Sequence, residues 1–290
     1  MDFRAVLMGL SFAVIWSSAF TSARIAVAYA SPLAMLSIRF LISGLLAVFI
    51  ARMMGQNARF YKKQWIAIIL FGICQNAIYL GLNFMAMQTI EAGLSAIIAS
   101  LLPLLVAAAS WVIFKERLSH LGVIGLAAGV IGVAIIMSAR LSGGADLTGI
   151  GLCIIAVLGL SIATLSLRSF SSTRNVMMVV GLQMLVGSIV LFPASLMFET
   201  WHVTWSWPLI LAFSYTTLVP GLAGTVIWFL LVERIGPTRA ASFHFLNPFL
   251  GIAIAALVIH ETLTLRDIFG VAIITAGIVA VQFSQRRRFS

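Results

Sequence analysis

The sequence predicts an all-α integral membrane protein of ten transmembrane helices. They are arranged as five plus five in an inverted-topology repeat, with both termini cytoplasmic. Three observations predict this. The chain of 290 residues is 62% hydrophobic and only 9% charged, against about 25% charged residues in a soluble domain. It also contains an internal repeat: residues 90–136, advanced by 145 positions, fall on 235–281 without a gap, with 11 of 47 positions identical. The matches include Pro103 on Pro248, Glu116 on Glu261, Leu118 on Leu263, Gly125 on Gly270 and Gly132 on Gly277. Chance matches of Leu, Ala and Ile are common in so apolar a chain, whereas Pro, Glu and Gly matches at one fixed offset are not. The third observation is the placement of the basic residues, taken up below.

A membrane-crossing helix needs about 20 mainly apolar residues. Ten stretches qualify: 4–23, 32–53, 64–86, 90–113, 120–138, 148–168, 176–198, 208–232, 236–258 and 267–284. The first begins at Arg4, lacks a small-residue cleavage site and is expected to stay as a signal anchor. The second opens at Pro32, and Lys62-Lys63 precede the third. The fourth stops at Lys115-Glu116-Arg117, and the fifth is glycine-rich. Leu141–Thr148, with Gly143-Gly144, joins the halves, so the repeats are expected at 1–141 and 148–290. Trp201, Trp205 and Trp207 precede the eighth span in the role of interfacial anchors. Gly236-Pro237 open the ninth, and Arg286–Arg288 follow the tenth.

Orientation follows from Lys and Arg, which concentrate on the cytoplasmic side. With the N-terminus inside, the inner segments hold 14 of the 18 basic residues and the outer ones hold Arg24, Arg140 and Arg266; Arg39 lies within the second span. Each half then crosses an odd number of times, so its copy lies upside down, and Glu116 and Glu261 end on opposite sides. Inverted repeats of this kind build transporters, with substrate held near the midplane where the repeats meet. The net charge of +10 does not indicate nucleic acid, because the cations punctuate apolar runs and form no patch. Cys74 and Cys153 offer neither a disulfide framework nor a metal cluster. No cofactor or metal is expected. The expected partners are a small-molecule solute, with a neutral amino acid foremost, and the lipid bilayer; monomer and homodimer stay open.

Polar groups within spans are costly and mark candidate sites. Asn76, Tyr79 and Asn83 fall at i, i+3 and i+7, one helical face, with Gln75 beside them. They read either as cavity lining or as interhelical hydrogen bonds. In the ninth span His244 and Asn247 share a face, and Pro248 frees a carbonyl one turn back. Pro103 repeats the break in the fourth span, with Ser100 nearby, and Pro220 interrupts the eighth. Interrupted helices at matching positions point to a binding site with hinges, and a static kink is the alternative. Trp16, beside Ser17-Ser18, and Tyr215 are aromatic candidates. Trp228 is the counterpart of Asn83 at the 145 offset. Glu116 and Glu261 read as gates or, more plainly, as carboxylates capping the next helix. Arg39 is assigned to the polar rim or to backbone carbonyls in preference to a substrate carboxylate. The glycines of spans five and ten fit close packing, between halves or between subunits. All eight acids fall at predicted ends or loops, so movement down a gradient is expected, with proton coupling through His244 as the alternative.

Ala92-Gly93-Leu94-Ser95-Ala96, then Pro103 and Lys115-Glu116-Arg117-Leu118, resemble the EamA repeat of the drug/metabolite transporter superfamily. The second copy reads Gly236-Pro237-Thr238-Arg239-Ala240-Ala241, Pro248 and His260-Glu261-Thr262-Leu263. Trp16-Ser17-Ser18-Ala19-Phe20 resembles the family's first-span motif, with Ser17 where Gly is usual, and Arg39-Phe40 fits its second span. The resemblance extends to exporters of aromatic and other neutral amino acids. It implies ten helices, export from the cytoplasm across the inner membrane and a central cavity, and it leaves the ligand open. Drug, nucleobase or other metabolite export is the alternative within the fold. An intramembrane enzyme lacks a paired nucleophile and base, and a channel lacks its ring of repeated polar residues.

Overall fold

Apolar runs bounded by Pro, Gly and basic residues fold into helices throughout the computed structural model. It describes residues 3–115, 120–142, 144, 146–167, 175–261 and 265–286. In chain order these form α1 (Phe3–Val27), α2 (Pro32–Met53), α3 (Lys62–Ala86) and a two-piece α4 (Ala92–Ala99, then Leu102–Phe114). α5 (His120–Ser142), α6 (Leu147–Ser166), α7 (Val176–Phe198) and α8 (Trp207–Ile235) follow. α9 comprises Pro237–Ala241, a 3₁₀ stretch at Ser242–Leu246 and Asn247–Ile259; α10 is Leu265–Arg286. Seven of the helical stretches are long and apolar enough to cross a membrane, and α5, α9 and α10 contribute shorter apolar runs. The chain is a multi-pass membrane protein.

Helix ends follow local chemistry. Asp146 caps α6, accepting from Thr148 N at 3.1 Å and Gly149 N at 2.9 Å. Prolines sit in the first turn of α2, of α8 and of the second pieces of α4 and α9, where a missing N–H costs nothing. α1 runs four residues beyond its expected end at 23. Arg24, in its last turn, donates to the Met87 carbonyl and so stays within the helix.

Backbone irregularities recur at the offset read from the sequence. Gly72–Leu80 in α3 and Thr217–Gly224 in α8 are both π-helical. α4 and α9 are each interrupted ahead of Pro103 and Pro248. Lys115 and His260, which end them, both take the left-handed conformation, with φ of 53° and 55°.

Two helix pairs join the halves. α2 lies on α7, where a Cβ on Gly44 would come 3.1 Å from the Gly181 carbonyl oxygen and one on Gly181 2.9 Å from that of Gly44. α5 lies on α10, where a Cβ on Gly132 would come 2.9 Å from the Gly270 carbonyl oxygen. The glycines of α5 and α10 thus serve packing between halves of one chain, a choice the sequence left open.

One face carries residues 28–31, 87–91 and 199–206, and backbone bonds tie the first of these segments to the last. Ala30 and Val203 form an antiparallel bridge, Thr204 N donates to Tyr29 O at 2.7 Å, and Ser31 N donates to His202 O at 3.1 Å. Glu199 accepts from Leu33 N at 2.9 Å and Ala34 N at 3.1 Å, capping α2. Glu261 accepts from Ala92 N at 2.7 Å and Gly93 N at 2.9 Å. It therefore caps α4 of the other half, because packing brings that N-terminus beside the turn at His260. Glu116 lies outside the described residues.

Candidate functional site

The interruptions in α3, α8 and α9 lie at mid-helix and have separate causes. In α8, Pro220 has no N–H to return to the Thr216 carbonyl, so the turn widens. The Thr216 and Thr217 hydroxyls both donate to the Phe213 carbonyl, at 3.0 Å and 2.6 Å. α3 has no proline. Its Gly72 admits α7 so closely that a Cβ would stand 2.6 Å from the Gln183 carbonyl oxygen. Asn83 Nδ2 donates to the Tyr79 carbonyl at 2.8 Å as the π stretch ends. α4 and α9 are interrupted just ahead of Pro103 and Pro248, as the sequence predicts, while Ser100, Leu101 and Leu246 keep right-handed helical backbone angles. Each proline stands in the first turn of the piece that follows, and the turn ahead of it loses the bond that the proline nitrogen cannot donate.

Between α1, α2, α3 and α8 these distortions leave a narrow pocket, part of it continuous with the outside. Trp16, Asn76, Tyr79, Asn83 and Pro220, named from the sequence, line it together. Phe20, Arg39, Phe40, Phe84, Gly221 and Thr225 line it as well. Its wall runs from mid-helix to Ala23 and Met87, so it extends toward the face carrying residues 28–31 and 87–91.

Beneath it lies an aromatic layer. Phe12 stacks on Trp16 (5.2 Å between centroids) and on Trp228 (4.8 Å). His244 meets Phe12, Trp16 and Trp228 edge-on at 5.3, 5.9 and 5.3 Å. Trp16 belongs to both levels, because it also lies parallel to Tyr79 at 6.1 Å. Farther down, Phe71 contacts Phe229 at 4.9 Å, and a Cβ on Gly9 would strike the Phe243 ring. This layer closes the cavity toward the opposite face.

Ser17 Oγ donates to Asn247 Oδ1 at 3.2 Å, and Asn247 Nδ2 stands 2.8 Å from His244 Nδ1. With the Asn247 oxygen accepting from Ser17, its amide nitrogen donates to His244, which presents Nδ1 as an acceptor and is therefore a neutral imidazole. The pair expected in the cavity forms a hub joining α1 and α9 under it.

Asn83 Oδ1 accepts from Ser95 Oγ at 2.7 Å and lies 3.4 Å from Cys153 Sγ. Asn76 Nδ2 donates to the Gln183 carbonyl at 2.9 Å and to its side-chain oxygen. Both asparagines thus line the cavity and bond across helices, the two roles the sequence held apart. The other named residues lie outside the lining. Ser100 Oγ donates to the Ile97 carbonyl. Gln75 is buried with Oε1 unpartnered. Tyr215, 37% exposed, stands 2.6 Å from Ser18 on the outer surface of the bundle.

Arg39 departs from the rim position expected for it. It is 4% exposed, its guanidinium carbon lies 5.1 Å from the Phe40 ring centroid and 5.9 Å from that of Phe84, and Nε has no hydrogen-bond partner. Phe12 and Gln183 had no signal beyond hydrophobicity and a lone amide. Gly221 and Thr225 had only their nearness to Pro220. The lining supplies aromatic faces, amides and one cation, and no carboxylate.

Comparisons with known proteins agree with a transporter. YvbV of Bacillus subtilis (strain 168), an uncharacterized transporter, is 27% identical over 96% of this chain and 91% of its own length. A probable amino-acid metabolite efflux pump of Salmonella typhimurium is 26% identical over 97% of this chain and 95% of its own. YedA of Escherichia coli (strain K12), an uncharacterized inner membrane transporter, is 26% identical over 97% and 92%. One solved protein crystal structure shares the fold, with a TM-score of 0.73 at 18% identity over the full length of both chains. The EamA-like transporter family matches twice, at residues 3–138 and 147–283, and this chain, a membrane transporter, belongs to it.

Proposed function

We propose that this chain exports small neutral metabolites, neutral amino acids foremost, across the inner membrane by alternating access. The observation that carries the reading is a cavity lined from both halves, α1 to α3 and α8, and closed toward one face by packed aromatic rings. The two halves, 1–141 and 148–290, are read as inverted copies that cross five times each. With the termini cytoplasmic, the cavity faces outward and the aromatic layer is the inner gate. The name of the Salmonella relative supports an amino-acid substrate.

Movement follows from the same geometry. Helices interrupted at mid-depth lack part of their i→i−4 ladder and bend there at low cost. Opening inward requires α1 to part from α8 and α9 at Phe12, Trp228 and His244. The paired surfaces α2–α7 and α5–α10, interlocked through glycines, stay together. His244 serves as the hub of the gate and not as a proton carrier, so flux follows the solute gradient.

The test is uptake of labelled phenylalanine, leucine and other neutral amino acids into proteoliposomes, with and without an imposed pH gradient. Saturable flux without the gradient is expected. A strict need for the gradient would overturn the facilitative mechanism. Flux of nucleobases or drugs without amino acids would replace the substrate class. Single-channel conductance in a planar bilayer would remove alternating access.

A further inference from the structure

Arg39 is the one charged residue in the cavity lining, and among the described residues no carboxylate lines the space to answer its charge. Two phenylalanine rings flank it, Nε is unpartnered, and no carboxylate lines the space. The acids near that face are engaged elsewhere: Glu199 caps α2, Glu261 caps α4, Asp146 caps α6 and bonds Thr89, and Glu91 has a partner of its own. A buried guanidinium with a free N–H is strongly unfavourable unless an anion meets it. Its position is enforced from the second half. Gly221, in the π stretch of α8, leaves space for the head group, since a Cβ there would lie 3.2 Å from Nη2 and 3.6 Å from Nε. Arg39 therefore sits where one repeat faces the other, beside the aromatic faces of Trp16, Tyr79, Phe40 and Phe84.

We propose that Arg39 is the binding site for a substrate carboxylate, and that the transported solutes are monocarboxylates with an apolar or aromatic body. The guanidinium fork matches a carboxylate in two parallel N–H···O bonds. The lining holds one cation, which suits one negative charge; a phosphate ester, with nearly two, would lack its second partner. The carboxylate fills the unpaired N–H, and the body lies against the rings toward the gate. This inference rests on the reading that the cavity carries the solute.

The test uses the full chain, wild type and with Arg39→Met or Arg39→Lys, purified in detergent and reconstituted. Four probes share one body: phenylalanine, 3-phenylpropionate, phenylalaninamide and phenyl phosphate. Thermal unfolding reads binding and counterflow reads transport. Phenylalanine and phenylpropionate are expected to raise the wild-type melting temperature, and the other two are not. Arg39→Met is expected to melt at or above the ligand-free wild type, because an unpaired charge has left the interior, while losing the carboxylate-induced shift. Its KM for phenylalanine should rise roughly 10- to 100-fold, the value of a charged hydrogen bond. Arg39→Lys should fall between, since an ammonium keeps the charge without the fork.

Equal flux of amide and acid, or an unchanged KM in a folded Arg39→Met, overturns the carboxylate site and leaves the transporter reading standing. A larger response to phenyl phosphate also overturns it. Carboxylate-specific stabilisation that disappears with Arg39→Met, without flux of any probe, supports the site and counts against the transport reading for these solutes. A ligand-free Arg39→Met that melts well below wild type with its carboxylate shift intact assigns Arg39 a structural role. No response to any probe by either measurement overturns both.

Discussion

The π stretches of α3 and α8 occupy the same place in the two halves and carry different chemistry. In α3 the stretch ends in a polar ladder, with Asn76 bonded to Gln183 and Asn83 bonded to Tyr79, Ser95 and Cys153. In α8 it holds Pro220 and Gly221, with Thr225 just after it and no side chain between Pro220 and Thr225 longer than leucine. One half presents functional groups; the other leaves space and an approach for Arg39. α4 and α9 differ in the same way. Their breaks coincide, yet Ser100 bonds only within its own helix, whereas His244 and Asn247 reach Ser17 of the opposite half. The duplicated backbone is a frame, and the unduplicated side chains supply recognition and closure.

The largest test of this contrast is Gly221→Leu. A Cβ there would stand 2.6 Å from the Thr216 carbonyl oxygen and 3.2 Å from Arg39. It should abolish flux in proteoliposomes and lower stability by about 1–3 kcal/mol by overpacking. Gly72→Leu, at the start of the π stretch in α3, should destabilise similarly by wedging α3 from α7. Retained flux in a folded Gly221→Leu would remove the cavity from the path.

Next is Asn247→Leu, which leaves Ser17 and His244 without their partner. A loss of about 1–3 kcal/mol is expected in thermal unfolding. Ser100→Ala, beside the matching break in α4, should lose about 0.6 kcal/mol or less. Equal losses would break the claim that only α9 carries the hub.

A smaller effect separates the two asparagines. Asn76→Leu and Asn83→Leu should each lower stability by about 0.6–1.7 kcal/mol, as interhelical bonds in membranes do. Asn83→Leu should cost more because three groups bond to it, while both weaken solute protection against unfolding.

The two bridging carboxylates come next. Glu199→Gln and Glu261→Gln should each lose about 0.3–1 kcal/mol, the value of a negative charge at a helix N-terminus. The smallest effect is at Asp146. The Thr89 hydroxyl, then the backbone N–H groups of Gly149 and Thr148, hold its carboxyl below the ordinary range. A depressed folded value stabilises above the unfolded pKa of about 3.9 and is lost as pH falls through the lower folded value. Asp146→Asn should flatten that acid-side slope of stability against pH and leave the neutral range unchanged.

The positions of the helices were legible because a membrane leaves little choice: an apolar run of sufficient length, bounded by Pro, Gly or cations, becomes a helix. Trp16, Asn76, Tyr79, Asn83 and Pro220 were legible as cavity residues because polar and aromatic groups in a span need a reason. His244 and Asn247 showed the same signal and sit under the cavity, since a polar group satisfied by a neighbour and one facing a solute look identical in one dimension. Tyr215 misled for the same reason, its partner Ser18 lying on another helix. Arg39 was set aside because a cation in the outer half of a span usually reaches water. Only the packing of Phe40, Phe84 and Gly221 around it turns its head group into the cavity instead of the rim.

By itself the sequence determined the apolar helices, the 145-residue repetition and the residues too polar for lipid, because these depend on composition and spacing along one chain. The tertiary structure decided which of those residues share a space and which satisfy one another. It also decided that the α5 and α10 glycines join halves of one chain, and that Glu261 caps the other half's helix. Those outcomes depend on distances between segments far apart in sequence, set by how closely glycine-bearing helices approach. No local pattern encodes that approach.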